Sequence, residues 1–142
     1  IQGLETLSLR MERLSSTALK VAKYLQNHKN VTWVKYPKLE GDKYYELAEK
    51  YLPKGASSII SFGIKGGREA GTKFIENTKL LIHATNIGDS RSIITYPAIT
   101  THRQLTTEQM NECGIGEDFM RLSVGLEDID DIITDLENAL KF

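Results

Sequence analysis

Cysteine is the scarcest chemically useful residue here, with Cys113 the only one in 142 residues. One thiol excludes an internal disulfide framework and suits a reducing compartment, so a cytoplasmic location is expected. The three prolines, Pro37, Pro53 and Pro97, punctuate elements rather than forming a low-complexity tract. An excess of either charge is also lacking: 18 Lys and Arg against 19 Asp and Glu leave a formal net charge of −1. That balance gives no footprint for nucleic acid or for an anionic membrane surface. No apolar run approaches the roughly 20 residues of a spanning helix, and the N-terminus lacks the pattern of a signal peptide. His28, His83 and His102 fall in different predicted elements, so no metal-ligand set is expected. Cys113, beside a helix stop and without an identifiable base, reads as a structural thiol rather than a nucleophile. Gly63-Ile-Lys-Gly-Gly67 lacks the Gly-Lys-Ser/Thr of a phosphate loop and reads as a strand-to-helix turn.

What is present is an ordinary globular composition, 40% hydrophobic and 26% charged, at a length that suits one domain. Leu4, Leu7, Met11, Leu14, Ala18, Val21 and Leu25 recur at three- and four-residue steps. They predict a long amphipathic helix over 3–28, nearly 40 Å in length at the usual rise. So small a domain does not need such a helix for its own core, so its N-terminal half is expected to pack on something outside the chain, with a plain core helix or a dimer seam as the alternative. Ile1-Gln2-Gly3 has no initiator Met and runs directly into this helix, which suggests a domain cut from a longer protein. Further along, strands are predicted over 31–36, 58–64 and 119–124, with short extended runs at 80–82 and 92–95. Helices are predicted after an Asp42 N-cap with Tyr44, Leu47, Ala48 and Tyr51 on its inner face, after Gly66-Gly67, at a Thr106 capping box, and over 128–140. The expected architecture is an α/β sandwich: about four strands, mixed or largely antiparallel, with helices on one face.

Two stretches carry unusual chemistry. In Arg121-Leu-Ser-Val-Gly-Leu-Glu-Asp128, the strand period puts Met120, Leu122 and Val124 on one face and Phe119, Arg121 and Ser123 on the other. A cation in mid-strand needs a carboxylate or phosphate to meet it. Glu127 or Asp128 would serve as a salt-bridge partner, and a ligand anion is the alternative. Asn86-Ile-Gly-Asp-Ser-Arg-Ser92 is either a solvated turn or a loop whose backbone N–H groups and small side chains cradle an anion. Together, a strand arginine and a serine-bearing loop suggest recognition of a small carboxylate. No nucleophile or general base accompanies them.

The wording of four ordered segments is more specific. Gly3-Leu-Glu-Thr-Leu-Ser-Leu-Arg-Met-Glu-Arg13, Asn86-Ile-Gly-Asp89 with Ser92, Pro97-Ala98 with Thr100-Thr101-His102, and Arg121–Asp128 resemble the C-terminal domain of the Cys/Met-metabolism family of pyridoxal-phosphate (PLP) enzymes. The resemblance runs along essentially the whole chain. Lys43–Gly55 and Gly63–Gly67 look most like the O-acetylhomoserine sulfhydrylase branch rather than the cystathionine γ-synthase, cystathionine γ-lyase or methionine γ-lyase branches. It implies residues 1–142 as the single C-terminal domain of a fold-type I enzyme that joins sulfide to O-acetyl-L-homoserine, releasing acetate. It also implies PLP as cofactor and a homo-oligomeric assembly. Arg121 and Ser92 would be the substrate-binding residues. The Schiff-base lysine and other cofactor contacts would lie in a preceding domain, leaving this chain inactive by itself. Two positions depart from the pattern, Tyr96 in place of the usual His and Ile99 in place of Ser, which leaves substrate preference open. A free-standing carboxylate-binding or oligomerisation module is the reading from another class.

Overall fold

The computed structural model describes residues 1–142 and builds one five-stranded sheet in the order β1-β2-β5-β4-β3. The strands are β1 (Val31–Lys35), β2 (Ile59–Ile64), β3 (Ile82–His83), β4 (Ile93–Thr95) and β5 (Phe119–Ser123). The helices are α1 (Gln2–Glu5), α2 (Leu7–Gln26), α3 (Tyr45–Tyr51), α4 (Gly67–Asn77), α5 (Thr107–Glu112) and α6 (Ile129–Ala139). Three strand pairings are antiparallel and only β3–β4 is parallel, so the sheet is mixed and largely antiparallel as expected. It has one strand more than anticipated, because both short extended runs pair.

Alternation divides the sheet into two unlike faces. Ile60, Phe62 and Ile64 of β2, Met120 and Leu122 of β5, and Ile94 of β4 are fully or almost fully buried. They pack with Ala18, Val21, Ala22 and Leu25 of α2, Ala70 and Phe74 of α4, and Ile132, Leu136 and Ala139 of α6. Each of these helices supplies an apolar stripe at the helical period, and the sheet supplies one face at the strand period. The hydrophobic effect then fixes which face of β5 is inward. Its other face carries Phe119, Arg121 and Ser123.

The N-terminal expectation needs amending. The long helix is interrupted at Thr6, where α1 ends and α2 begins. Leu4, Leu7 and Leu9 stay exposed, and the buried stripe begins only at Leu14. Without tertiary packing on this first turn, the low helical preference of Gly3 and Thr6 is not overridden. The second helix also differs. Asp42 accepts the Tyr44 N–H at 2.9 Å as a local turn, and the helix starts only at Tyr45. Of its expected inner face only Ala48 is buried, while Tyr44, Leu47 and Tyr51 face outward. The Thr106 capping box is as read, with Thr106 Oγ1 accepting from Gln109 N and Gln109 Oε1 accepting from Thr106 N.

Candidate functional site

β5, the last strand in sequence, lies at the centre of the sheet, and Arg121 lies at the centre of β5. Its register neighbours are Ser61 on β2 and Thr95 on β4, with Lys35 of β1 beyond Ser61. Small hydroxyl residues thus flank it on both sides. Arg121 Nη2 donates to Thr95 Oγ1 at 3.5 Å, the outer limit of a hydrogen bond. Its Nε is buried and has no partner. The two carboxylates that would have made a simple salt bridge are engaged elsewhere. Glu127 accepts from Ser92, and Asp128 caps α6 by accepting the Asp130 N–H at 2.9 Å. The planar cation is left with a buried N–H that no group of the chain accepts.

The loop of residues 84–92 between β3 and β4 is linked to Arg121 at its Ala84 end. Thr95 Oγ1, which meets the guanidinium, also donates to the Ala84 carbonyl at 2.7 Å. Beyond Ala84 the loop folds on itself. The Asp89 carboxylate accepts from Arg91 N at 3.0 Å, Arg91 Nε at 3.1 Å and Asn86 Nδ2 at 3.1 Å. Those hydrogen bonds from Arg91 hold Asp89 far below the usual carboxylate range. Ile87 N donates to Asn86 Oδ1. The N–H groups of Ile87, Arg91 and Ser92 are therefore taken by the chain's own oxygens.

Ser92 is fully buried. Its hydroxyl donates to Glu127 Oε2 at 2.9 Å and accepts the Gly125 N–H at 2.8 Å, while its backbone N–H donates to Glu127 Oε1 at 2.7 Å. Both donors of Ser92 thus grip a carboxylate, and that carboxylate is Glu127. Toward a second carboxylate the hydroxyl would present only a lone pair. Ser92, expected from the resemblance to bind substrate, here joins the loop to Glu127 and Gly125.

The two departures from the family pattern do not lie on this face. Tyr96 is buried on the helix side, its ring against Gly71 of α4 and its hydroxyl donating to the Glu117 carbonyl at 2.6 Å. Burial pushes its phenol up to about 12. Ile99 packs partly buried against the same core. No three His, Cys, Asp or Glu side chains gather as a metal-ligand cluster. Cys113 is exposed. A cavity of about 560 Å³ lies between β1 and the segment 37–44, and Lys35 and Ser61 of the Arg121 row line one side of it. Sequence reading did not pick out Thr95, which links Arg121 to the loop, or Glu127 as the loop's fastener. Their positions on the strand and turn were legible, but their partners are set by which strands become neighbours.

The family described as Cys/Met metabolism PLP-dependent enzyme matches residues 1–141. The O-acetyl-L-homoserine sulfhydrylase of Leptospira meyeri is 52% identical over 142 residues, covering 99% of this chain and 32% of that protein. The homocysteine synthase of Schizosaccharomyces pombe is 47% identical, with 99% and 33% covered. A crystal structure from Campylobacter jejuni, assigned as an O-acetylhomoserine (thiol)-lyase and holding a pyridoxyl-lysine monophosphate, superposes with a TM-score of 0.92 at 42% identity. That likeness covers 99% of this chain and 34% of the Campylobacter chain. This chain therefore spans about a third of the length of the relatives it matches. With the family model covering all but the last residue, the chain belongs to the Cys/Met-metabolism family of PLP-dependent enzymes.

Proposed function

We propose that residues 1–142 form the C-terminal, substrate-carboxylate-binding domain of an O-acetylhomoserine sulfhydrylase, which joins O-acetyl-L-homoserine and sulfide to give homocysteine and acetate. The observation that carries this reading is Arg121, an unpaired guanidinium with a buried free Nε at the centre of the polar sheet face. Its fork-like donor geometry matches a carboxylate on two atoms, which fixes an amino acid in orientation as well as position. Thr95 limits how far the guanidinium swings, and Ser61 leaves the approach open.

The cofactor of such an enzyme supplies the electron sink for cleavage next to the substrate's amino group. The donor set here suits the substrate's carboxylate and not the Schiff base. Every lysine is exposed except Lys38, which is half-buried and pairs with Glu49 at 2.6 Å. Chemistry in this reading depends on residues of a longer protein, and residues 1–142 alone are inactive. The sulfhydrylase and homocysteine-synthase relatives favour this branch over a cystathionine γ-synthase, a methionine γ-lyase or a free-standing binding module. A homo-oligomeric, cytoplasmic enzyme accords with the family resemblance and the single cysteine. No helix here is long and apolar enough to cross a membrane.

The test is Arg121→Ala in the full-length enzyme. A charge-assisted pair of this kind contributes roughly 1.5–3 kcal/mol, so kcat/KM for the amino-acid substrate should fall at least about tenfold. Cofactor absorbance should be retained. Unaltered kcat/KM would remove Arg121 from the role and the reading with it.

A further inference from the structure

We propose that Glu127 is a positioning residue for the Arg121 site, its carboxylate holding the loop 84–92 as the wall beside the guanidinium. This rests on the reading of Arg121 just given. The loop has no apolar anchor of its own: Ala84 to Ile87 are exposed, and Ile87, its one large apolar side chain, is 65% exposed. Its internal bonds, among Asn86, Asp89 and Arg91, shape the loop but do not tie it to the sheet. Placement therefore depends on the two ends.

The first end is held at Ala84, whose carbonyl accepts from Thr95 Oγ1 and whose N–H donates to the Ile94 carbonyl. Because Thr95 Oγ1 also meets Arg121 Nη2, this end lies one hydroxyl from the guanidinium. The second end is held by Glu127. One carboxylate oxygen takes the Ser92 N–H at 2.7 Å and the other takes the Ser92 hydroxyl at 2.9 Å. Ser92 Oγ receives the Gly125 N–H at 2.8 Å, and Leu126 N donates to the Ser90 carbonyl at 2.8 Å. The two backbones run so close that a Cβ on Gly125 would lie 2.4 Å from Ser92 N and from the Arg91 carbonyl carbon. A carboxylate is required here because it alone accepts on both oxygens. An amide turns one oxygen into a donor facing a hydroxyl that is itself donating. Losing it would leave the buried Ser92 donors without partners and free the wall to drift from Arg121.

The experiment uses the full-length enzyme with Glu127→Gln, Ser92→Ala, the double variant and Ser92→Thr. KM for the amino-acid substrate and kcat are measured beside cofactor absorbance and melting temperature. We expect Glu127→Gln and Ser92→Ala each to raise KM by about tenfold, with kcat and cofactor absorbance held. The double variant should cost less than the sum of the two single changes, since the bond between the Ser92 hydroxyl and Glu127 is lost in both. Ser92→Thr, which keeps the hydroxyl, should return KM toward its original value. A lowered melting temperature with unchanged KM would overturn the proposal, leaving Glu127 merely structural. If Glu127→Gln fails to fold, Ser92→Ala decides by the same criterion. Arg121→Lys, run in parallel, separates the two claims. An unchanged KM in Arg121→Lys sinks the proposed function itself. A raised KM there, with no change in Glu127→Gln, sinks only the role of Glu127.

Discussion

Ser123 lies two residues from Arg121 on the same side of β5, and its environment yields a prediction of its own. In register it lies between Ile59 and Ile93, and its hydroxyl is buried without a partner. An unsatisfied buried hydroxyl costs about 1–3 kcal/mol, against which its few contacts count little. Ser123→Ala should therefore leave stability unchanged or raise it by about 1 kcal/mol, measured by urea denaturation. A clear loss would show that the hydroxyl has a bound water or other partner. Asp135 is the opposite case. It is buried on α6, and its carboxylate accepts the backbone N–H groups of Lys79, Leu80 and Leu81 at 2.9, 3.0 and 3.0 Å. Asp135→Ala removes all three acceptor contacts and should cost roughly 3 kcal/mol or more. Asp135→Asn keeps one oxygen and should cost less. Equal stability of the alanine variant and the parent would refute this account of the turn into β3. Neither environment was legible beforehand: Asp135 looked like one more acidic residue on a helix, and Ser123 like the polar half of an alternation.

Among the elements, α4 shows how packing reverses a propensity argument. Gly71 stands in mid-helix, where alanine is ordinarily better by about 1 kcal/mol. A Cβ there would lie 2.6 Å from Cζ of Tyr96, a fully buried ring tethered to the Glu117 carbonyl. Gly71→Ala should therefore destabilise the fold by about 1–3 kcal/mol, seen as a lower denaturation midpoint. Pairing it with Tyr96→Leu should recover part of the loss. A Gly71→Ala variant more stable than the parent would mean that the ring moves aside freely. The same contact explains why Tyr96, though close in sequence to the site, bears on the core. Strand alternation turns Thr95 toward Arg121 and Tyr96 away from it.

For the molecule as a whole, the titrating groups define a pH window. Tyr36 and Tyr96 are buried, and burial pushes each phenol up to about 12 from an ordinary 10.0. Their neutral forms are favoured in the fold. The resulting stability is fully present below pH 10, where the unfolded phenols are also neutral, and is lost as pH climbs through about 12. On the acid side Glu137 is held below its ordinary 4.5, chiefly by the hydrogen bond from the Tyr24 hydroxyl and then by the charges of His28 and Lys141. That contribution is present above the unfolded pKa and disappears as pH falls through the lower, folded value. Melting temperature should accordingly be nearly level from pH 6 to 9, and decline on both sides, with an alkaline fall beginning near pH 10. Tyr96→Phe should blunt the alkaline fall and leave the acid limb in place. An alkaline limb identical in both proteins would assign the effect to other groups.

By itself the sequence determined the class of fold, its two-faced strands and the family, because apolar period and local wording depend only on neighbours along the chain. The positions of β2, β5, α4 and α6, the Thr106 cap and the outward side of Arg121 were all legible from that period. It also made Arg121 conspicuous as a cation in mid-strand. Only the tertiary structure decided that β5 inserts between β2 and β4, which sets Ser61 and Thr95 beside Arg121. Only it decided that Ser92 donates to Glu127. The physical reason is the same in each case. A strand's inward face follows from its own residues, but its neighbours follow from long-range pairing, and hydrogen-bond partners 26 or 35 residues apart cannot be read from either alone.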